Sequence, residues 1–529
     1  MVQAEPPVKK RKRTTTTVKI KTEPTTMSSL PTTAPTRILV IDNGGDSIKF
    51  GWMTDKEPRT MPNLTARLPQ QWTILAGDLV QEVQNPTQLL HPTRSMERSF
   101  PVNLGNQIQV WKRVLDVLHV AIPLATAQVF GWKKNPEAVL APQQCAILLT
   151  VPPFCPRVLL DQITTIWMED FQFAHVGFVT ASLCAVQPHS TYQTCCVVDL
   201  GWSQTTVVPT FQKRIIQESA LRRMAIGGRQ LQQIWKYQAS YRQWNLMDQD
   251  FLLQQIFEET AFLSLQFNHD MKIAQTIPAG RRPYDREFVL PDYQTTFKGH
   301  VQLPPFLRRE AELKAMGKVS EDDDDDSEED DDFNEQDAEE EDEDFDANLE
   351  DGNDSPDDDE EETLEQIKER LLVQRQEEER RRREAEAQQQ ILNVSVECFA
   401  IPETLFRPSD AGLPAEWANL PETIHQSIEA CPVLYRAALY RSIRLVGGLS
   451  QLPNLKERLE QELRCLVGCR YEIEIETSET ATIDAWLGAK QLSIETPFEN
   501  WSFSRMEWEQ SFKKGAWARL LASSGGRLV

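Results

Sequence analysis

Arg37-Ile38-Leu39-Val40-Ile41-Asp42-Asn43-Gly44-Gly45-Asp46-Ser47-Ile48-Lys49-Phe50-Gly51-Trp52 holds an apolar run, a glycine turn and a second apolar run. That order predicts a β-hairpin. The grammar returns at Cys195-Cys196-Val197-Val198-Asp199-Leu200-Gly201, followed by Thr205-Thr206-Val207-Val208-Pro209. Each copy ends its first strand on Asp-x-Gly, so the pattern is an internal repeat and predicts two related α/β lobes. A third segment, Ile443-Arg444-Leu445-Val446-Gly447-Gly448, predicts a strand entering a Gly-Gly turn. A helix is expected after it, with Leu452, Leu455, Leu459 and Leu463 along one face.

These turns are where chemistry is expected. Backbone N–H groups of a glycine turn can approach phosphate oxygens closely. A carboxylate at a strand end can hold a hydrated Mg²⁺, and a nearby lysine can neutralise phosphate charge. Asp42, Asn43, Gly44 and Lys49 supply one half of such a clamp, and Asp199 and Gly201 the other. Gly447 and Gly448 could let a base or phosphate rest against backbone, or could serve only close helix–strand packing.

Other segments frame these turns. Ala146-Ile147-Leu148-Leu149-Thr150 predicts a buried strand, 161–171 the helix after it, and 250–270 a further helix. The chain has 529 residues, a length that suggests about two to four domains. Its net charge of -24 is concentrated in one place. Glu321–Glu362 carries 29 Asp or Glu and no Lys or Arg, which leaves the remainder close to neutral. Such a block repels itself and cannot bury apolar surface, so disorder is expected there.

The basic run Lys9-Lys10-Arg11-Lys12-Arg13 lies in a Thr- and Pro-rich tail expected to be disordered, and it fits a nuclear import signal, a nucleic-acid contact or simply a solvated tail. Nine cysteines show no zinc-ligand spacing. There is no signal-peptide pattern and no apolar run of membrane-spanning length. Reduced thiols in a nuclear or cytosolic protein fit this composition, and a pool in the cytoplasm stays open beside the nucleus.

Taken together, Asp42 to Lys49, Asp199 to Gly201 and Gly447-Gly448 resemble the two phosphate loops and the adenosine loop of the actin family. Local stretches resemble one class within it, the actin-related proteins of the sixth type. These are Ser240-Tyr241-Arg242-Gln243, Val289-Leu290-Pro291-Asp292-Tyr293, Phe399-Ala400-Ile401-Pro402-Glu403, Pro408-Ser409-Asp410 and Arg464-Cys465-Leu466.

The resemblance implies an α/β, actin-like fold of two ribonuclease H-like lobes around a nucleotide cleft. It places the actin-like fold at 37–318 and 391–500. Around it lie a basic tail at 1–36, an acidic insertion at 319–363, a charged solvated helix at 364–390 and a C-terminal tail at 501–529. The aromatics of that tail either dock on a partner or pack back on their own domain.

The resemblance also implies ATP or ADP with Mg²⁺ as ligand, with Glu258 near the ribose. The implied role is a non-polymerising scaffold of an SWR-type remodelling complex that exchanges ordinary histone dimers for Z-type variant dimers. Implied partners are the remodeller ATPase and a small zinc-finger subunit. The charge of the acidic insertion could hold basic histones by salt-sensitive attraction, or the insertion could be only a solvated linker. The chain would be a monomer within that hetero-complex, touching no membrane and no specific nucleic-acid sequence. The alternative is an ATP-dependent enzyme of the actin, sugar kinase and chaperone ATPase superfamily.

Four positions depart from the actin pattern. Asp46 replaces the last glycine of the first loop, where a carboxylate would repel phosphate. Trp202 replaces an aspartate in the second loop and adds bulk beside the ligand. Ungapped alignment from Pro156 puts Thr165 where actin has the glutamine that helps place the attacking water. Phe257 also stands where actin has a lysine. Little or no hydrolysis is therefore expected.

Overall fold

The computed structural model describes residues 37–69, 73–133, 135–186, 193–247, 249–294, 296–315, 380, 389–414, 416–495, 497 and 501–512. The import signal at Lys9–Arg13 and the acidic insertion at 319–363 lie outside the described residues. So does the expected charged helix at 364–390, apart from Arg380, Gln389 and Gln390.

The first lobe is built on β1 (Arg37–Asn43), β2 (Ser47–Trp52), β3 (Arg59–Pro62), β4 (Cys145–Val151) and β5 (His175–Thr180). β1 and β2 form the expected hairpin, and β1 then runs parallel to β4. The apolar runs in β1 and β4 are buried on both faces of the sheet, as central parallel strands require. A small three-stranded sheet, Leu64–Arg67, Ile74–Ala76 and Leu90–Arg94, caps this lobe with its own apolar cluster.

The second lobe repeats the plan. It contains β6 (Thr194–Leu200), β7 (Thr205–Phe211), β8 (Arg214–Ile215), β9 (Arg222–Met224), β10 (Ile443–Val446) and β11 (Ile475–Thr477). β6 and β7 are a hairpin, and β6 runs parallel to β10. The repeat extends to register: Asp42 pairs across its hairpin with Lys49, and Asp199 pairs across its own with Thr206.

The chain then returns to the first lobe. Helix Asp484–Glu495 buries Trp486, whose indole N–H donates to the Val40 carbonyl at 3.0 Å. β12 (Ser502–Ser504) pairs antiparallel with β5. Trp501 and Phe503 are buried there, so the first two tail aromatics pack back on their own domain. The fold thus continues past the expected boundary at residue 500.

Two helices differ from expectation. The helix expected at 161–171 begins at Arg157 with Pro156 as its cap, and its last turn, Ile166–Asp170, widens into a π-helix. The helix expected at 250–270 is two helices, Asp250–Thr260 and Phe267–Thr276. The break is tertiary in origin: the Phe262 N–H donates to the Cys398 carbonyl and the Leu263 N–H to the Pro453 carbonyl, both at 3.0 Å. Those bonds satisfy backbone groups that a continuous helix would have used internally.

The described chain stops at Ala315 before the acidic insertion and, Arg380 apart, resumes at Gln389 after it, with Ala315 and Gln389 both exposed. The chain leaves after helix Pro305–Ala315 and returns as strand Ile391–Val394, which pairs with Arg286–Val289. The described residues on either side of the inserted segment therefore lie at the surface of the second lobe.

Candidate functional site

The two hairpin turns and the Gly447-Gly448 turn face one cleft of about 520 Å³. That is within the range of small-ligand sites, roughly 300–1,000 Å³. Asp42, Asn43, Gly44, Lys49, Asp199, Gly201, Glu258, Gly447 and Gly448 all line it. Residues separated by hundreds of positions meet because the internal repeat points both hairpin turns inward.

Two carboxylates face each other at the floor. Asp42 is buried and accepts a hydrogen bond from the Thr150 hydroxyl at 2.5 Å. Burial, and then the neighbouring Asp42, push the Asp199 carboxyl up to about 7. The Ser182 hydroxyl, 3.4 Å away, and the charge of Lys49 act against that rise. Crowded carboxylates beside one lysine favour a cation between them, so these residues fit a Mg²⁺-phosphate group. Asp42 and Asp199 would hold the hydrated metal, and Lys49 the phosphate charge. The metal would supply neutralisation of phosphate oxygens.

Gly447 has φ +90°, and a β-carbon there would lie 2.5 Å from the Leu200 carbonyl oxygen. The turn therefore requires glycine for the close approach of β6 and β10. Gly448 is different, because a β-carbon there would enter open space. Glu258 is exposed on helix Asp250–Thr260 and accepts from the Gln254 amide at 2.9 Å. Phe257 lines the cleft and stacks edge-on against the buried Trp235.

The Asn43 side chain is committed to the protein. Its carbonyl accepts from Gln107 at 3.0 Å and Asn63 at 3.4 Å. The Asn63 amide also donates to the Gly44 carbonyl at 2.8 Å, which fixes the turn. Local sequence did not mark Thr150, Asn63 or Gln107 as site residues, because each acts from a segment distant from the turn it supports.

Asp46 does not stand as an unopposed charge beside the cleft. Arg94 forms an ion pair with its carboxylate at 2.8 Å and donates to its carbonyl at 2.7 Å. The repulsion expected from this position is therefore largely neutralised. Trp202 supplies the expected bulk, with its ring beneath the Arg94 guanidinium at 4.7 Å. Thr165 does not line the cleft, and its hydroxyl is spent on the Asp161 carbonyl one turn back, at 2.8 Å.

The family model described as Actin matches residues 33–516, almost all of the described chain. The chain belongs to the actin family. Within that family it is similar to several proteins named Actin-related protein 6. Actin-related protein 6 of Oryza sativa subsp. indica is 27% identical over 482 residues, covering 89% of this chain and 96% of the rice protein. Actin-related protein 6 of Arabidopsis thaliana is 26% identical over 492 residues, with 89% and 96% covered. Actin-related protein 6 of Drosophila melanogaster is 24% identical over 484 residues, with 89% and 97% covered. The actin fold accounts for the paired lobes, the repeated hairpins and the cleft between them.

Among the described residues, no group of three His, Cys, Asp or Glu is arranged to hold a metal ion. No described helix is long and apolar enough to cross a membrane. All nine cysteines are free thiols.

Proposed function

We propose that this actin-family chain is a non-polymerising scaffold of a nuclear SWR-type remodelling complex. In this reading the complex exchanges ordinary histone dimers for Z-type variant dimers and so regulates transcription. The observation that carries the proposal is likeness over 89% of the chain to proteins named Actin-related protein 6. The partners are the remodeller ATPase and a small zinc-finger subunit, with histones reached through the acidic insertion. The basic run at Lys9–Arg13 supports nuclear import.

The cleft supports a ligand-holding role in preference to catalysis. Asp42, Asp199 and Lys49 suit an adenine nucleotide with Mg²⁺. The hydroxyl of Thr165, at the position where actin places its water-orienting glutamine, is bonded within its own helix. Positioning of water contributes much of the rate in phosphoryl transfer, so a cleft lacking that group binds nucleotide without rapid turnover.

The test is affinity purification of the tagged protein from nuclear extract at moderate salt, followed by mass spectrometry. A remodeller ATPase, a zinc-finger subunit and histones in fixed ratio are the expected result. Recovery alone, or with metabolic or chaperone partners, overturns the proposal.

A further inference from the structure

The two turns that should grip a terminal phosphate touch each other. A β-carbon on Gly45 of the first turn would lie 2.3 Å from the Ser203 hydroxyl oxygen of the second and 3.3 Å from the Trp202 ring. The Ser203 hydroxyl is buried there without a hydrogen-bond partner. Nothing the size of a phosphate fits between Gly45 and Ser203 at that separation.

Side chains on both sides hold the contact shut. Arg94 ends the last strand of the small sheet on the first lobe. Its guanidinium pairs with Asp46, stacks on Trp202 of the second lobe and donates at 3.3 Å to Gln254 on helix Asp250–Thr260 of that lobe. Phe251 of the same helix packs against the apolar cluster of the small sheet, Leu64, Ala66, Val80 and Leu89. Farther along the rim, Arg223 of the second lobe donates at 2.8 Å to the Pro153 carbonyl of the first and lies 4.9 Å from the Phe100 ring. A cation shared between a carboxylate, an amide oxygen and an indole face satisfies its charge without any ligand.

We infer that Arg94 and Trp202 lock the cleft closed without a third phosphate, so that the cleft does not distinguish a nucleoside triphosphate from a diphosphate. The inference rests on the nucleotide reading of the cleft above and adds which part of the nucleotide goes unread. Asp46 and Trp202, the two departures from the actin loops, then belong to one device. The first anchors Arg94, and the second offers it a surface from the opposite lobe.

Two measurements on the full chain test this. Isothermal titration with MgADP and MgATP should give affinities within about threefold of each other. Hydrogen–deuterium exchange without nucleotide should show both turns, 43–47 and 200–204, protected, with no further protection from ATP beyond that from ADP. Arg94→Ala should raise exchange in both turns together while the lobe cores keep their protection. Ser203→Ala should leave nucleotide affinity unchanged, since its hydroxyl fills space and grips nothing.

MgATP binding more than tenfold tighter than MgADP overturns the inference, as do turns that exchange freely in the nucleotide-free chain. A chain that binds neither nucleotide yet keeps both turns protected upholds the lock and overturns the nucleotide reading.

Discussion

Lys49 stands directly opposite Asp42 across the first hairpin, in the register that Thr206 holds opposite Asp199 in the second. The two lobes are therefore repeats at the level of residue pairs, with one difference at matched positions. The first lobe places a cation beside its carboxylate and the second a hydroxyl. The charge of the cleft floor is consequently uneven, with Asp199 bearing the cost.

That cost is measurable through pH. The Asp199 carboxyl sits at about 7, above its ordinary value of 3.8. Below the ordinary value both folded and unfolded forms are protonated, and Asp199 is neutral to stability. As pH rises toward 7 the unfolded chain loses the proton first, and stability falls; above 7 the penalty is complete. Asp199→Asn should therefore raise Tm relative to wild type, with the gain growing from pH 4 to 7 and then levelling. One side of Asp199 faces cleft solvent, so a gain of about 1–2 kcal/mol is expected. A gain that shrinks as pH rises would refute the assignment.

The glycines of the third turn should behave in opposite ways. Gly447→Ala meets the Leu200 carbonyl and forces a residue into positive φ, so a loss of about 2–3 kcal/mol is expected in urea unfolding. Gly448→Ala should leave unfolding unchanged, because its methyl enters open space. If adenosine lies against this turn, Gly448→Val weakens nucleotide binding in titration at unaltered stability.

Trp486 ties the last long helix to β1 by a buried indole hydrogen bond. Trp486→Ala removes a fully buried aromatic and should cost about 3–5 kcal/mol. Trp486→Phe should recover much of the packing while leaving the Val40 carbonyl short of a donor. Denaturation of the pair separates the two contributions.

Hydrolysis should be very slow or absent. Single-turnover measurement with radiolabelled ATP gives the check. A rate matching actin or exceeding it would show that some group other than residue 165 positions the water.

Deleting Glu321–Glu362 should weaken binding of histone dimers at low salt, and the difference should vanish as ionic strength rises. The deleted stretch carries few apolar residues, so the Tm should hold. Equal histone binding by both proteins at low salt would assign that contact elsewhere.

Local sequence already carried both hairpins, the buried strand at Ala146–Thr150 and the residues of the three turns. Each depends on short-range chemistry: apolar runs make strands, and Gly-containing turns join them. The repeated Asp-x-Gly also implied that the lobes mirror one another. Other features arose only from pairing between distant segments. The break after Thr260 exists because Cys398 and Pro453 offer carbonyls to Phe262 and Leu263. The return of Trp501 and Phe503 onto the first lobe needed an unpaired edge on β5. Above all, Asp46 reads locally as a charge beside a phosphate loop. Whether it repels or anchors is set by Arg94, 48 residues away, because the field at a charged group depends on what the folded chain brings beside it.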